Sequence, residues 1–259
     1  MTDLARELDR IAAAAFPAIE NVHLDGWVLR DSGRAPWGRT RSVWTAHAGT
    51  SVTLPDRLAA VRRFYKDRHF PALFMVSDHS EPTELVQALR ADGWAPWMGA
   101  QVQALIPLAE LAGDRWKRQP AIRISTEAWS AASADLQGWD DDTTAANAEL
   151  LARTPGEVVG VAAMKSNAIV GLGRGVVTEG WLGIFGMVTT AEHRGTGVGA
   201  SVLAELIRLG KEIGATGAYL QVETVNTAAL ALYAAAGFEP VYEYDYWAPS
   251  DASSRDSYC

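Results

Sequence analysis

The chain of 259 residues is acidic, with a formal net charge of -8, and 48% of its residues are apolar. This composition supports one large core or two ordinary ones, and the acidic balance argues against non-specific nucleic-acid binding, which needs a basic face. No apolar run approaches the roughly 18 residues of a membrane-spanning helix, and the charged, amphipathic N-terminus is unlike a signal peptide. Because the single cysteine is Cys259, no intrachain disulfide can form, and we expect a cytoplasmic protein.

The first half of the chain predicts alternating helices and strands. Apolar residues recur at helical spacing near the start, and Pro17 ends that pattern. The predicted order is a helix over 1–19, a hairpin of strands over 22–30 and 41–46, a helix from Pro55, a strand over 71–76, a helix over 82–91 and a strand over 101–107.

A polar segment follows that contains Gly113 and ends at Pro120, which is typical of a linker between domains. We therefore predict an N-terminal domain over 1–112, a linker over 113–120, a second domain over 121–248 and a disordered tail over 249–259. The second domain is predicted to contain a strand over 122–125, helices over 130–136 and 144–153, strands over 157–164, 167–177 and 181–189, a helix over 199–213, a strand over 218–223, a helix over 226–236 and a strand over 240–247.

The two halves resemble each other in the order of their elements. In each half a helix, a strand and a second helix lead to a glycine and an aromatic residue, Gly93-Trp94 in the first and Gly237-Phe238 in the second. This repetition favours an internal duplication, although any alternating α/β sequence shows some of it. Only the second half has a glycine-rich turn ahead of its first helix, so we expect one active site per chain.

The glycine-rich turn, Arg194 to Gly199, lies between the strand predicted over 181–189 and the helix predicted over 199–213. Backbone N–H groups and the positive end of a helix dipole hold phosphates at such a turn, and glycines let the backbone approach closely. The turn lacks the Gly-Lys-Ser/Thr of a P-loop, and it lies too late in the chain for a dinucleotide-binding fold. It therefore predicts a site for a phosphate-bearing ligand of another class.

Arg194, Gly197 and Gly199 match the Arg/Gln-x-x-Gly-x-Gly/Ala signature of the GNAT superfamily of N-acetyltransferases. The segment from Asn226 through Tyr233 to Gly237-Phe238 is similar to a second conserved segment of that family. The resemblance is strongest over 181–240 and looser over 121–247. It implies an α/β fold of two GNAT-like domains, each a mixed, mostly antiparallel twisted sheet flanked by helices. It further implies a splayed parallel strand pair that holds acetyl-CoA in the second domain, the first being a degenerate copy.

The resemblance also implies roles for individual residues. The turn would hold the pyrophosphate, strand backbone before it would pair with pantetheine, and Asn226 would contact the cofactor at the next helix. The residues implied in cofactor binding are Met187, Val188, Thr189, Arg194, Gly195, Thr196, Gly197, Val198, Gly199, Ala200, Asn226 and Tyr233. Tyr233 would also protonate the departing thiolate as the catalytic acid, and Val188 N–H is our expectation for the oxyanion donor.

The general base is harder to place. Some relatives carry a glutamate on the strand before the turn, but the corresponding position here is Gly183. Glu179 and Glu223 are the remaining nearby acids, and either could act through water. The alternative is that the amine loses its proton to solvent. Of the two acids, we expect Glu223 to be the base. Asp140, Asp141 and Asp142 lie where the acceptor would approach, and either steer a cationic amine or form a solvated loop.

We expect acetyl transfer directly to a primary amine of a small molecule, since no cysteine lies near the site to carry the acyl group. Two alternatives remain open: a non-catalytic acyl-CoA-binding or regulatory module, and a protein N-terminal or lysine acetyltransferase. The histidines and the single cysteine show no metal-ligand spacing, so no metal is expected. Neither nucleic acid nor membrane is an expected partner, and a monomer or a homodimer is expected.

Overall fold

A computed structural model describes residues 2–33, 35–108 and 120–250. The helices are α1 Thr2–Ala15, α2 Leu54–Asp67, α3 Leu85–Ala91, α4 Thr126–Gln137, α5 Asp141–Arg153, α6 Val198–Ile213 and α7 Thr227–Ala235. The strands are β1 Glu20–Leu24, β2 Trp27–Asp31, β3 Val43–Trp44, β4 Phe74–Ser77, β5 Trp94–Leu105, β6 Ala121–Ile124, β7 Glu157–Lys165, β8 Ala168–Thr178, β9 Trp181–Thr189, β10 Gly217–Glu223 and β11 Glu239–Pro249.

In the described part of the chain, all eleven strands form one continuous sheet in the order β1-β2-β3-β4-β11-β5-β10-β9-β8-β7-β6. The pairs β3–β4 and β9–β10 are parallel, and the other neighbouring strands are antiparallel. The prediction of a mixed, mostly antiparallel sheet in an α/β fold is therefore confirmed. The prediction of two separate sheets, one for each domain, is wrong.

The sheet is continuous because the two halves exchange their last strands. β5, from the first half, pairs with β10, and β11, from the second half, pairs with β4. The exchanged strands also pair with each other over most of their length. Each half thus supplies the strand that covers the other half's open edge. Of the linker predicted over 113–120, only Pro120 is among the described residues. The disorder predicted from residue 249 is not seen at its first two residues, because Pro249 pairs with Trp94 and Ser250 N–H donates to Gly93 C=O. Residues 251–259 of that tail lie outside the described residues.

Two local predictions need correction. The strand expected over 22–30 is a hairpin, because Asp25 and Gly26 both have positive φ, at 41° and 90°, and form a two-residue turn. The alternating apolar residues on either side conceal that Asp-Gly signal. The strand expected over 101–107 begins earlier, at Trp94, because its first half pairs with β11.

The helices cover both faces of the sheet. α6 packs on Val159, Val161 and Ile184, while α4 packs on Ala162, the residue that follows Val161 in β7. Since successive residues of a strand point to opposite faces, these two helices lie on opposite faces of the sheet. By the same alternation, α1 and α5 lie on the α4 face, which we call the front, and α2, α3 and α7 lie with α6 on the back.

The start of α6 lies very close to β8. A Cβ added at Gly171 would lie 2.4 Å from Val198, and one at Gly173 would lie 2.7 Å from Val202. These glycines therefore allow α6 to pack closely against β8. This close packing holds the phosphate turn, which immediately precedes α6, in position.

Candidate active site

The parallel strands β9 and β10 separate halfway along their length. They pair from Trp181 with Gly217 as far as Ile184 with Leu220. Beyond that point β9 pairs with β8 and β10 pairs with β5, so a gap opens between them. The splay expected from the family resemblance is present at the predicted place.

A β-bulge redirects β9 at the start of this gap. Between the pairs Leu172–Val188 and Arg174–Phe185, two residues of β9 face the single residue Gly173. One of the two is Gly186, whose φ is +57°. A side chain there would also meet Trp129, because an added Cβ lies 2.7 Å from its ring. Glycine is therefore required both by the backbone and by its neighbour.

The ladder beyond the bulge decides which backbone groups face the gap. Thr190 N–H donates to Val170 C=O at 3.0 Å. Hydrogen-bonded and non-hydrogen-bonded pairs alternate in an antiparallel ladder, so Val188 directs its own N–H at Leu172. The expected role of Val188 as oxyanion donor is therefore disfavoured. The C=O of Thr189 points away from β8, since it accepts a bond from Arg194 Nε at 3.4 Å.

The phosphate turn has the geometry of an anion cradle. Gly195 and Gly197 have φ of 72° and 88°, and Gly197 caps α6 without contributing a side chain. The first backbone hydrogen bond of the helix is donated by Ser201 N–H to Gly197 C=O. The N–H groups of the three residues before Ser201 therefore remain available to a ligand. Those three residues are Val198, Gly199 and Ala200, which belong to the set that the family resemblance implies for cofactor binding. Thr196, in contrast, uses its hydroxyl to bond His193 C=O at 2.7 Å.

α7 brings Asn226 and Tyr233 to the same gap. Asn226 caps the helix, its Oδ1 accepting from Ala229 N–H at 3.1 Å, so it also has a structural role. Tyr233 is buried against Phe238, and its hydroxyl has no hydrogen-bond partner among the described residues. Burial raises the pKa of Tyr233 to about 12, so the phenol remains protonated at neutral pH.

A cleft of about 940 Å³ passes through the gap and joins the two faces of the sheet. On the back it is lined by the phosphate turn and α7, and on the front by aromatic residues. All the predicted site residues except Thr196 line it.

The candidate bases differ in position. Glu223 lies at the end of β10, lines the cleft, is exposed, and its carboxylate forms no bond with the described residues. Glu179 lies at the far end of β9, where both carboxylate oxygens accept from Arg10, at 2.8 and 2.6 Å. At Gly183 an added Cβ would lie 2.6 Å from Tyr219 Oη, so Tyr219 occupies the space of a side chain there.

The acidic segment does not form a loop. Asp140 caps α5, accepting from Thr143 N–H at 2.8 Å, and Asp141 and Asp142 lie in the first turn of that helix. Carboxylates there are favourable because of the helix dipole. The solvated-loop interpretation is therefore wrong, and neighbouring Trp139 is the residue of this segment that lines the cleft.

Sequence reasoning missed several of the residues that line the front of the cleft. They include Phe16, Arg39, Arg174, Phe185, Tyr244 and Tyr246. Arg174 carried a usable signal, since it is the one charged residue in the apolar strand 168–178. Arg39 and Phe16 carried none, because the fold brings them to the cleft from distant segments.

Within the described ranges, no helix is long and apolar enough to cross a membrane. The same ranges contain no group of three or more His, Cys, Asp and Glu side chains able to hold a metal ion.

Comparison with known proteins places the chain in a family. The uncharacterized N-acetyltransferase YobR of Bacillus subtilis is 28% identical over 257 residues, covering 94% of this chain and 98% of its own. The probable histone acetyltransferase Rv0428c of Mycobacterium tuberculosis is 28% identical over 244 residues, covering 89% of this chain and 70% of its own.

Among solved structures, a GCN5-related N-acetyltransferase from Kribbella flavida matches with a TM-score of 0.73 at 17% identity, over 98% of both chains, and so shares the fold. The family model described as "Probable histone acetyltransferase Rv0428c C-terminal" matches residues 2–247. The chain therefore belongs to that family and is a GNAT N-acetyltransferase.

Proposed function

We propose that this chain transfers acetyl directly from acetyl-CoA to a primary amine of a small molecule. The observation that carries the proposal is the splay between β9 and β10, which joins the phosphate turn and Tyr233 to the front part of the cleft. We call that part, which is lined by aromatic side chains together with Arg39 and Arg174, the front chamber. The GNAT family uses acetyl-CoA. The open N–H groups at the start of α6 suit its pyrophosphate, and Arg194 supplies a counter-charge. Backbone of Met187, Val188 and Thr189 lines the path of the pantetheine.

Tyr233 is the proposed acid. Its phenol is protonated at neutral pH, lines the cleft and has no described protein partner, so it is free to donate to a departing thiolate. We assign the oxyanion donor to the N–H of Met187, which follows the bulge at Gly186, rather than to Val188. Glu223 is the proposed base, because it is the one carboxylate among the described residues that line the cleft.

We further propose that the chain is a tandem arrangement, with a degenerate first half over 1–112 and a catalytic second half over 121–248. Three observations support this proposal: the repeated helix-strand-helix order, the location of α2 and α3 on the same face as α6 and α7, and the reciprocal strand exchange. The first half then contributes residues to the lining of the front chamber, including Phe16 and Trp37.

The experiment is to mix protein, acetyl-CoA and a panel of amines and to measure thiol release with acetylated product. Amine-dependent release with small amines is the expected result. Acetylation of histone-tail peptides, with no activity on small amines, would instead support the protein acetyltransferase suggested by the relative's name. Tight cofactor binding without release in either case would favour the non-catalytic module.

A further inference from the structure

The front chamber of the cleft contains two arginines that have no carboxylate partner among the described residues. Arg174 on β8 is only 2% exposed, and Arg39 lies in the short turn before β3. Their charges are close enough that Arg39, together with the larger effect of burial, lowers the pKa of Arg174 to about 10. Both nevertheless remain charged at neutral pH. Placing two like charges in a buried site is costly unless something compensates them.

Aromatic rings provide part of the compensation. The guanidinium carbon of Arg174 lies 5.1 Å from the ring centres of Phe16 and Phe185 and 5.4 Å from that of Trp129. Cation–π contacts stabilise a charge. They supply no oxygen or nitrogen acceptor, however, for the N–H groups of the guanidinium.

The unused donors converge on the chamber. Arg174 Nε and Nη1, Arg39 Nε and Trp129 Nε1 are buried and have no hydrogen-bond partner among the described residues. All four atoms are donors, and their three residues line the cleft. Buried polar groups are nearly always paired, so unpaired donors in a cavity point to a ligand that accepts. Since Glu223 is the one acid among the described lining residues, the chamber favours an anion.

We propose that Arg39 and Arg174 bind an oxyanion, a carboxylate or a phosphate, carried by the acceptor amine. The proposal rests on the proposed acetyl transfer and names its substrate class: zwitterionic amines such as amino acids. A planar guanidinium matches an oxyanion with two parallel hydrogen bonds. The same pair of charges disfavours a polycationic acceptor such as a histone tail.

The selectivity test compares acceptors that differ only in the anion. Amino acids from glycine to aminohexanoate, and phenylalanine, are each measured beside their carboxamides, and phosphoethanolamine is measured beside ethanolamine. We expect kcat/KM to favour the anionic member of the best pair by about 10- to 100-fold. The preference then identifies the oxyanion as carboxylate or phosphate. Equal rates within every pair would overturn the proposal while leaving acetyl transfer intact.

The variants Arg174→Met and Arg39→Met should abolish the preference mainly through KM. Arg57→Met is the matched control: Arg57 is buried, stacks on Trp27 at 4.5 Å and has an unpaired Nε, but does not line the cleft. It should keep the preference. If Arg174 has only a structural role, Arg174→Met should instead lower the melting temperature without changing the preference for anionic acceptors. If Arg174→Met does not fold, the test uses Arg39→Met, because Arg39 is only half-buried.

A binding test separates this proposal from the proposed function. Trp129, Trp37 and Trp139 line the chamber, so tryptophan fluorescence should report its occupancy. We expect saturable quenching by phenylpropionate or phenyl phosphate, weaker quenching by phenylpropionamide, and loss of the difference in Arg174→Met. Anion binding without acetylation of any amine would refute acetyl transfer but support the anion site. No difference between the probes in the wild-type protein would overturn the anion site.

Discussion

At the scale of single residues, Tyr233 shows how burial prepares a group for chemistry. Its hydroxyl has no described partner, and burial raises its pKa to about 12. The acid form therefore persists through the alkaline range. Any loss of activity well below that pH would have to come from another group.

Replacing Tyr233 with phenylalanine should lower kcat by about 10²- to 10⁴-fold, the usual contribution of a positioned acid. Acetyl-CoA affinity and the melting temperature should barely change, because phenylalanine keeps the ring that packs on Phe238. Thiol release and calorimetric titration measure the two quantities. Turnover equal to that of the wild-type protein would remove Tyr233 from the acid role.

At the scale of elements, the phosphate turn depends on left-handed backbone. Gly197→Ala places a Cβ at φ of 88° and should cost about 1–2 kcal/mol of folding free energy while weakening acetyl-CoA binding. Gly214→Ala is the control, because it is also left-handed, at φ of 104°, but lies at the other end of α6. Titration calorimetry should show weaker binding only for Gly197→Ala. Equal binding in both variants would contradict the assigned cradle.

The turn before α2, in the first half of the chain, contains its own anion. The carboxylate of Asp25 accepts from the N–H groups of Thr50, Ser51 and Val52, at 3.0, 3.2 and 2.9 Å. These three residues lie just before the start of α2. Pro55 also removes a donor from the first turn of α2. The N–H groups of this turn are therefore occupied by a carboxylate of the protein itself, which supports the proposal of one cofactor site per chain.

These bonds lower the pKa of Asp25, chiefly those from Val52 and Thr50. A lowered folded-state pKa contributes stability above the unfolded value of 3.8, and this stability is lost as the pH falls through the folded pKa. Asp25→Asn should therefore reduce the melting temperature at neutral pH, with the gap from the wild-type protein closing in acid. Acetyl-CoA stoichiometry should remain one per chain. A pH-independent gap would show that the charge of Asp25 is unimportant.

Elements with local signals were predictable from the sequence, and elements fixed by distant contacts were not. The turn from Arg194 to Gly199 and the helix after it were readable because glycines and helical spacing lie side by side. The Asp25-Gly26 hairpin was hidden by flanking apolar residues. The strand exchange and the Arg39–Arg174 chamber depend on segments far apart in sequence, and no local pattern encodes which edge a strand joins.

At the scale of the whole molecule, the exchange of β5 and β11 should make unfolding a single event. Each half is closed by a strand of the other, so neither can unfold alone without opening the second. Scanning calorimetry should show one transition whose calorimetric and van't Hoff enthalpies agree. A chain shortened to end at Phe238 lacks β11, and both of its halves should then fail to fold. Two separate transitions would contradict this coupling.

The position of β11 also constrains biosynthesis. β11 follows the other described strands in the sequence but lies inside the sheet, between β4 and β5, so a nascent chain on the ribosome has both of those strand edges unpaired until β11 has been made. Pairing Tyr244 with Ser77 is a contact of high sequence separation, which slows folding. During synthesis the exposed edges are open to pairing with other chains, so this protein's dependence on chaperones should be greatest just before β11 emerges.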